Sequence, residues 1–250
     1  MHKRYVELES RGLVLRGYLE LPEGASPEAP VPLLVMFHGF GGTLSEKHFL
    51  LSRLSRRVVE AGVATLRLDF GGSGESDGDF FDVTPLTEVL DGQAIVEFGC
   101  GLPEVDPERV GLLGFSLGGF VAACVAARET ARLSLLVLVS AATGTHLKME
   151  RLLKETGHAR RGALEVGEAF VRDGHALDPI ASAAFYGGPA LIVQGTSDAA
   201  VPPETAGRYH DALPGSRLVW VDGADHAYDA PELFEDLAAA VTRAVSRLRD

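Results

Sequence analysis

A serine occurs in a segment whose residue types and spacing suit nucleophilic chemistry. The segment Gly114-Phe115-Ser116-Leu117-Gly118 has the pattern G-x-S-x-G, in which a sharp strand-to-helix turn exposes the serine hydroxyl. An apolar run over residues 109–113 precedes the segment and a helical pattern over residues 117–128 follows it. A serine hydroxyl is a weak nucleophile unless a base removes its proton. The segment therefore predicts a base, and an acid that orients it, elsewhere in the chain.

Two later segments offer these partners in the order Ser, Asp, His. Asp198 follows the apolar run 190–194, and His226 follows the run 218–221. The carboxyl ends of parallel strands meet at one edge of a sheet, and in this type of triad the acid precedes the histidine along the chain. The sequence therefore predicts Ser116 as nucleophile, His226 as base and Asp198 as the acid that orients the histidine.

Other acids compete with Asp198 for that role. Asp225 adjoins His226, but neighbouring side chains point apart. Asp69 lies at the start of a Gly-rich turn, where an aspartate usually accepts local backbone hydrogen bonds. Asp178 lies at the end of an inserted segment. Chain order and position favour Asp198.

A glycine-rich loop after an early strand can supply backbone donors for a developing oxyanion. His38-Gly39-Phe40-Gly41-Gly42 follows the apolar run 31–37, where the second donor of such a site arises. We expect the N–H groups of Phe40 and Leu117 to form the oxyanion hole, each worth roughly 3 kcal/mol of barrier. His38 is expected to hold the loop by hydrogen bonds rather than to take part in catalysis.

These residues need strands that end side by side, and the hydrophobic pattern supplies them. Eight strands are predicted, over residues 5–9, 13–21, 31–37, 63–68, 109–113, 133–139, 190–194 and 218–221. Helical patterns lie between them over residues 46–61, 85–98 and 117–128, and a closing helix is predicted over residues 231–248. The alternation predicts an α/β fold, a mostly parallel eight-stranded sheet with helices on both faces. We expect the first two strands to pair with each other and to run antiparallel to the rest.

About 50 residues separate the runs 133–139 and 190–194, which is far more than an ordinary connection requires. Helical spacing recurs over residues 146–156 and 163–171. We interpret residues 143–187 as a small inserted helical cap, with residues 1–142 and 188–250 forming the core domain. An ordinary covering helix with a long loop would leave too many residues unexplained. Leu147, Phe170 and Phe185 are the apolar residues expected to contact substrate beneath the cap.

Composition excludes several other functions. The formal net charge of −12 opposes binding to nucleic acid or to an anionic membrane. No run approaches the roughly 20 apolar residues of a membrane span, and the first residues lack the apolar run of a secretory signal. The chain has 2 cysteines, Cys100 and Cys124, which is too few for a disulfide framework and suits the cytoplasm.

Over essentially its full length the chain resembles the α/β-hydrolase superfamily of serine esterases. The resemblance rests on His38–Gly42, Asp69–Gly78, Gly114–Gly119, the stretch from Gly195 to Pro202, and Gly223–His226. Within that superfamily the chain is similar to bacterial cinnamoyl and feruloyl esterases and to monoacylglycerol-lipase-like carboxylesterases. The resemblance implies a cap between the sixth and seventh strands that helps to set acyl specificity.

The expected reaction is hydrolysis of small to medium apolar or aromatic carboxylic esters through an acyl-enzyme, with feruloyl and cinnamoyl esters among the candidates. The same triad could serve an amidase, a peptidase or a thioesterase, and a non-catalytic binding module is a further alternative. The acyl-enzyme mechanism needs no metal or organic cofactor, and none is expected. The acidic loop of Glu75, Asp77 and Asp79 lacks His and Cys ligands, so we interpret it as a solvated turn rather than a metal site. The expected partner is a small ester substrate, and a homodimer stays open.

Overall fold

The computed structural model describes residues 1–249, and its centre is an eight-stranded sheet. The strands are β1 (His2–Ser10), β2 (Leu13–Leu21), β3 (Val31–Phe37), β4 (Ala64–Leu68), β5 (Val105–Phe115), β6 (Leu133–Val139), β7 (Ala159–Arg161), β8 (Leu164–Val166), β9 (Ala190–Gly195) and β10 (Arg217–Val221). The helices are α1 (Leu50–Glu60), α2 (Pro85–Cys100), α3 (Leu117–Arg128), α4 (Thr145–Thr156), α5 (Glu168–His175), α6 (Pro179–Ala183), α7 (Glu204–Ala212) and α8 (Pro231–Val245). Strands β7 and β8 form a separate hairpin.

The sheet has the order β1-β2-β4-β3-β5-β6-β9-β10, and its parallel part matches the α/β prediction. β1 pairs antiparallel with β2, and β2 pairs antiparallel with β4. Two reversals restore the direction, so β1 runs with the rest and only β2 runs against them. The expectation that both first strands oppose the sheet is wrong, because the hairpin joins the sheet through its second strand.

Strand register brings the ends that matter into one row. Phe37 at the end of β3 pairs with Gly114 of β5. Phe115 pairs with Val139 of β6, which in turn pairs with Val193 of β9. The loops that leave β3, β5 and β9 therefore start at the same edge of the sheet.

Both faces of the sheet are covered by helices. Helices α1 and α8 share one apolar cluster with the sheet, and α2, α3 and α7 contribute to a larger cluster on the other face. Because β3 and β6 are buried almost throughout, their residues are apolar in a continuous run rather than at alternate positions. The start of α2 is fixed by a reciprocal cap, in which Thr84 Oγ1 accepts the Thr87 N–H and Thr87 Oγ1 accepts the Thr84 N–H.

Two predicted helices have different limits in the structure. The helix predicted from residue 46 begins at Leu50, because Glu46, His48 and Phe49 have φ values of 59°, 51° and 58°, which a right-handed helix does not allow. The predicted helix over residues 163–171 is wrong in its first half. Residues 164–166 form β8, and the chain becomes helical only at Glu168.

The segment between β6 and β9 contains α4, the β7–β8 hairpin, α5 and α6. Helix α6 packs against α3 and α7 of the core, and the Tyr186 hydroxyl donates to the Leu133 carbonyl oxygen at 3.3 Å. The segment is therefore joined to the core at its C-terminal end. The boundaries 143 and 187 of a cap stay a prediction.

None of the helices within residues 1–249 combines the length and the apolar character that crossing a membrane requires.

A buried carboxyl on α2 links stability to pH. Glu88 is 2% exposed, and its Oε2 has no hydrogen-bond partner among the described residues. Burial, and next the neighbouring Asp91 carboxylate, raise the pKa of Glu88 well above its usual range, against a smaller opposing effect of Arg11. Glu88 therefore keeps its proton in the folded chain at a pH where the unfolded chain releases it.

Glu88→Gln removes this ionisation and should stabilise the protein at pH 7, by on the order of 1 kcal/mol or more in the free energy of unfolding. Its advantage should shrink as the pH falls towards about 4, where the carboxyl is protonated in both states. Urea unfolding at both pH values measures the difference. Glu97→Gln, an exposed position on the same helix, is the control. An equal effect of both variants, or an effect of Glu88→Gln that does not change with pH, would contradict the prediction.

Candidate active site

Ser116 lies in a strained turn between β5 and α3. Its φ of 55° and ψ of −118° fall in a region that residues with a side chain rarely adopt. The turn is tight enough to require glycine on both sides of it. A Cβ at Gly114 would lie 2.1 Å from the Gly118 carbonyl oxygen, and a Cβ at Gly118 would lie 2.4 Å from the His38 carbonyl oxygen. The G-x-S-x-G pattern is thus a packing requirement of this turn.

The structure brings the three predicted side chains together. His226 Nε2 lies 3.0 Å from Ser116 Oγ, and His226 Nδ1 lies 2.8 Å from Asp198 Oδ2. The Asp198 side chain is fully buried, whereas the His226 side chain is 23% exposed. A continuous line of hydrogen bonds therefore runs from a buried carboxylate to a hydroxyl at the cavity.

The loop after β9 holds Asp198 in its charged form. Asp198 Oδ1 accepts the N–H groups of Ala200 and Val201, each at 2.8 Å, and Oδ2 accepts Gln194 Nε2 at 3.0 Å. Burial by itself would raise the pKa of Asp198, but the hydrogen bonds from His226, Val201 and Gln194, together with the attraction of His226, hold it below its usual value. An ionised Asp198 keeps the proton of neutral His226 on Nδ1 and leaves Nε2 to accept the Ser116 proton.

The competing acids are occupied elsewhere. Asp69 accepts the N–H groups of Leu44 and Glu75, Asp225 accepts the Asp229 N–H, and Asp178 caps α6. Each serves its local backbone.

The glycine-rich loop after β3 runs directly over the serine. A Cβ at Gly39 would lie 3.0 Å from Ser116 Cβ. The Phe40 N–H makes no hydrogen bond within the part of the chain that the structure describes. The Leu117 N–H is the first of α3, where amide groups have no partner inside the helix. Two unused donors therefore flank Ser116.

His38 and Glu46 hold this loop from two sides. His38 Nε2 accepts the Phe70 N–H at 3.0 Å, so its proton is on Nδ1 and is donated to the Gly39 carbonyl oxygen at 3.0 Å. The Glu46 carboxylate accepts the Gly39 N–H, and its Oε1 lies 2.2 Å from the place where a Cβ of Gly42 would be. His38 therefore fixes the loop, as predicted.

Glu46 is a functional residue that was not predicted from the sequence. The sequence feature that could have indicated it is the second of two adjacent glycines, Gly42. This glycine has no positive φ, and it is needed because a side chain there would collide with the Glu46 carboxylate.

A cavity of about 490 Å³ opens beside Ser116 and His226. Its apolar lining comes from Phe40, Phe115 and Leu164, and its charged lining comes from Glu46, Lys47 and Arg161. It is large enough for a small to medium organic molecule.

The three residues predicted to contact substrate do not line this cavity. Leu147 and Phe185 are 50% and 74% exposed, and Phe170 is fully buried, with its ring centroid 5.3 Å from that of Phe40. The physical reason is the β7–β8 hairpin, which the sequence did not predict. Leu164 of that hairpin lies against Gly41 and lines the cavity where those three residues were expected.

Among residues 1–249 there is no group of three or more His, Cys, Asp or Glu side chains arranged to hold a metal ion. In the acidic loop, Asp77 pairs with Arg16 at 2.6 Å.

The chain is similar to known proteins both in sequence and in fold. Residues 28–173 match the family model described as serine aminopeptidase, S33, and residues 177–232 match one described as TAP-like protein. Among solved structures, the chain is similar to Est1E from Butyrivibrio proteoclasticus with ferulic acid bound. The TM-score is 0.82 at 26% identity, over 98% of this chain and 97% of that one.

Two curated relatives match shorter stretches. An uncharacterised 31.7 kDa protein of Escherichia coli is 34% identical over 110 residues, 44% of this chain and 36% of that protein. The thiohydrolase apmlB of Arthrinium phaeospermum is 35% identical over 129 residues, 51% of this chain and 39% of that protein. The chain thus aligns with little more than a third of the length of these curated proteins.

The hydrogen-bonded line ending at Ser116 predicts a reactive hydroxyl. A fluorophosphonate probe should attach once per chain, at Ser116, as measured by intact mass and peptide mapping. Asp198→Asn leaves the histidine without an anionic partner and favours the wrong tautomer, so it should slow labelling by about 10³-fold or more. Ser116→Ala, in which labelling should disappear, is the control. Labelling at another serine would contradict the assignment.

Proposed function

We propose that this chain, which belongs to the family described as serine aminopeptidase, S33, and is a hydrolase with the α/β-hydrolase fold, acts as a serine carboxylesterase. The observation that carries the proposal is the line of hydrogen bonds from Asp198 through His226 to Ser116, at 2.8 Å and 3.0 Å. That line ends in a cavity with apolar walls.

In the first half of the reaction, Ser116 Oγ attacks the ester carbonyl carbon while His226 Nε2 takes the hydroxyl proton. The carbonyl oxygen becomes an oxyanion between the N–H groups of Phe40 and Leu117, where the N-terminus of α3 also favours negative charge. As the tetrahedral intermediate collapses, His226 returns the proton to the leaving alcohol. An acyl group then remains on Ser116.

In the second half, His226 removes a proton from water, and the hydroxide oxygen attacks the acyl carbon. Collapse releases the carboxylic acid, and the proton on His226 returns to Ser116 Oγ. Asp198 stays ionised throughout and stabilises the protonated histidine. Every proton moves between side chains, water and substrate, so this scheme uses no metal ion or organic cofactor.

The size and lining of the cavity support small to medium esters. Its volume of about 490 Å³ and the walls formed by Phe40, Phe115 and Leu164 suit an apolar or aromatic group. Ferulic acid bound to Est1E supports including hydroxycinnamoyl esters in that range.

Thioester hydrolysis is a second candidate, favoured by the similarity to the thiohydrolase of Arthrinium phaeospermum. The description of the family as serine aminopeptidase favours amide substrates as a third. Amides are harder to cleave because the amine must be protonated as it leaves. Matched ester, thioester and amide substrates with one acyl group separate these activities.

Ser116→Ala should lower the rate of hydrolysis of p-nitrophenyl esters with acyl chains of about two to eight carbons by about 10⁴-fold or more, because the attacking oxygen is lost. Release of p-nitrophenol measures the rate, and circular dichroism checks that the variant folds. The panel should also include methyl ferulate and tributyrin. Undiminished turnover of the variant would refute the proposal.

Glu46 supplies a second test, as a positioning residue. Glu46→Ala removes the acceptor of the Gly39 N–H, which frees the loop that carries the Phe40 donor. We expect kcat to fall by about tenfold with KM within twofold, because a misplaced oxyanion donor affects the transition state more than substrate binding. Glu46→Gln still offers an oxygen acceptor and should recover most of the rate. A loss of thermal stability that matches the loss of kcat in both variants would instead indicate a structural role.

A further inference from the structure

The two faces of the β7–β8 hairpin differ in what they contact. In an antiparallel pair, residues opposite each other share a face, and neighbours along a strand point to opposite faces. Arg161 is opposite Leu164, and Arg160 is opposite Glu165. Leu164 lies against Gly41 of the loop over Ser116, so its face, which also carries Arg161, is turned to the cavity.

The other face of the hairpin is neutralised within itself. Arg160 donates to Glu165 Oε2 at 2.7 Å and 3.1 Å, and His158 Nδ1 lies 2.8 Å from Glu165 Oε1. None of these three side chains lines the cavity.

Arg161 has no such partner. It lines the cavity together with Ser116 and His226, and its guanidinium makes no ion pair with any residue of the described part of the chain. A guanidinium has five N–H donors in a planar fork that matches a carboxylate. The hairpin therefore places an exposed cationic residue, without an ion-pair partner among the described residues, in the lining of the cavity beside Ser116.

The remaining charges of the lining are already used. Lys47 pairs with Asp229 at 2.8 Å, and His48 contacts the same carboxylate at 2.6 Å. Glu46 accepts the N–H groups of Gly39 and Lys47. Arg161 is thus the charge in the lining that stays available to a ligand, in a chain whose net charge is −12.

We propose that Arg161 selects esters that carry a carboxylate, by pairing with that group while the ester carbonyl lies at Ser116. The inference rests on the proposed esterase function and adds its substrate class, monoesters in which a second, ionised acid group accompanies the scissile ester. The carboxylate lies either on the acyl group or on the alcohol, and both forms offer the same chemistry to the guanidinium.

The test compares anionic and neutral esters in the whole protein at pH 7.5. Monophenyl glutarate and phenyl pentanoate form the pair with the charge on the acyl side. 4-Acetoxybenzoate and phenyl acetate form the pair with the charge on the leaving group. For each pair, the ratio of kcat/KM values is measured in the unchanged protein and in Arg161→Gln. Comparing the ratios removes the intrinsic reactivity of the substrates.

For at least one pair, Arg161→Gln should lower the anionic-to-neutral ratio by about fivefold, since Arg161 is exposed and an exposed ion pair is worth no more than roughly that factor. The loss should lie mainly in KM, because the contact forms in the ground state as well as in the transition state. Arg161→Lys should keep part of the preference through its point charge, and added salt should reduce the preference in the unchanged protein.

Arg160→Gln is the matched control, because it removes the same charge from the adjacent position on the outer face. Equal ratios in the unchanged protein and in Arg161→Gln for both pairs would overturn the inference, as would an effect of Arg160→Gln as large as that of Arg161→Gln. If the hydrolysis of phenyl acetate depends on Ser116 but the protein shows no preference between anionic and neutral esters, this inference alone is overturned. Loss of the Ser116 dependence would overturn the esterase function itself.

Discussion

The close approach of three chain segments around residue 116 is the constraint on which the site depends. The end of β5, the start of α3 and the loop after β3 meet within van der Waals distance, and Ser116 is held with a positive φ between them. In that conformation its hydroxyl oxygen lies 3.0 Å from His226 Nε2. The strain costs of order 1–3 kcal/mol, and the well-packed sheet and helices around it offset that cost.

A second layer of buried polar contacts fixes the loop that completes the site. Arg67, fully buried in β4, pairs with Glu20 at 2.7 Å and donates to the Leu44 carbonyl oxygen at 2.6 Å. Asp69, the first residue after β4, accepts the Leu44 N–H. Both backbone groups of Leu44 are therefore tied to the core, which anchors the chain two residues before Glu46. Arg67 and Asp69 thus hold the chain segment that carries Glu46, whose carboxylate accepts the Gly39 N–H.

The sequence was sufficient for most of the sheet and for the line Asp198–His226–Ser116, because both depend on strong local signals. Continuous apolar runs such as Val31–Phe37 are typical of strands buried on both faces, and the carboxyl ends of parallel strands share an edge of the sheet. The direction of β1 could not be predicted, because it depends on which strand of the β1–β2 hairpin pairs with the sheet, and residue types do not determine that pairing. The hairpin was missed because each of its strands has only three residues, too few for a period of two to stand out from helical spacing. Leu147, Phe170 and Phe185 were predicted as apolar residues beneath the cap, and the missed hairpin is the element that brings Leu164 to the cavity instead.

The β7–β8 hairpin also keeps part of the cavity lining apart from the predicted catalytic residues. The residues that would break and form bonds lie on loops of the eight-stranded sheet, whereas Arg161 and Leu164 reach the same space from a small element outside that sheet. Arg161 makes no ion pair within the described residues, so replacing it removes no ionic support of the strained serine turn. A single substitution at this tip would therefore alter the charge of the cavity lining while the serine turn and its buried supports stay in place.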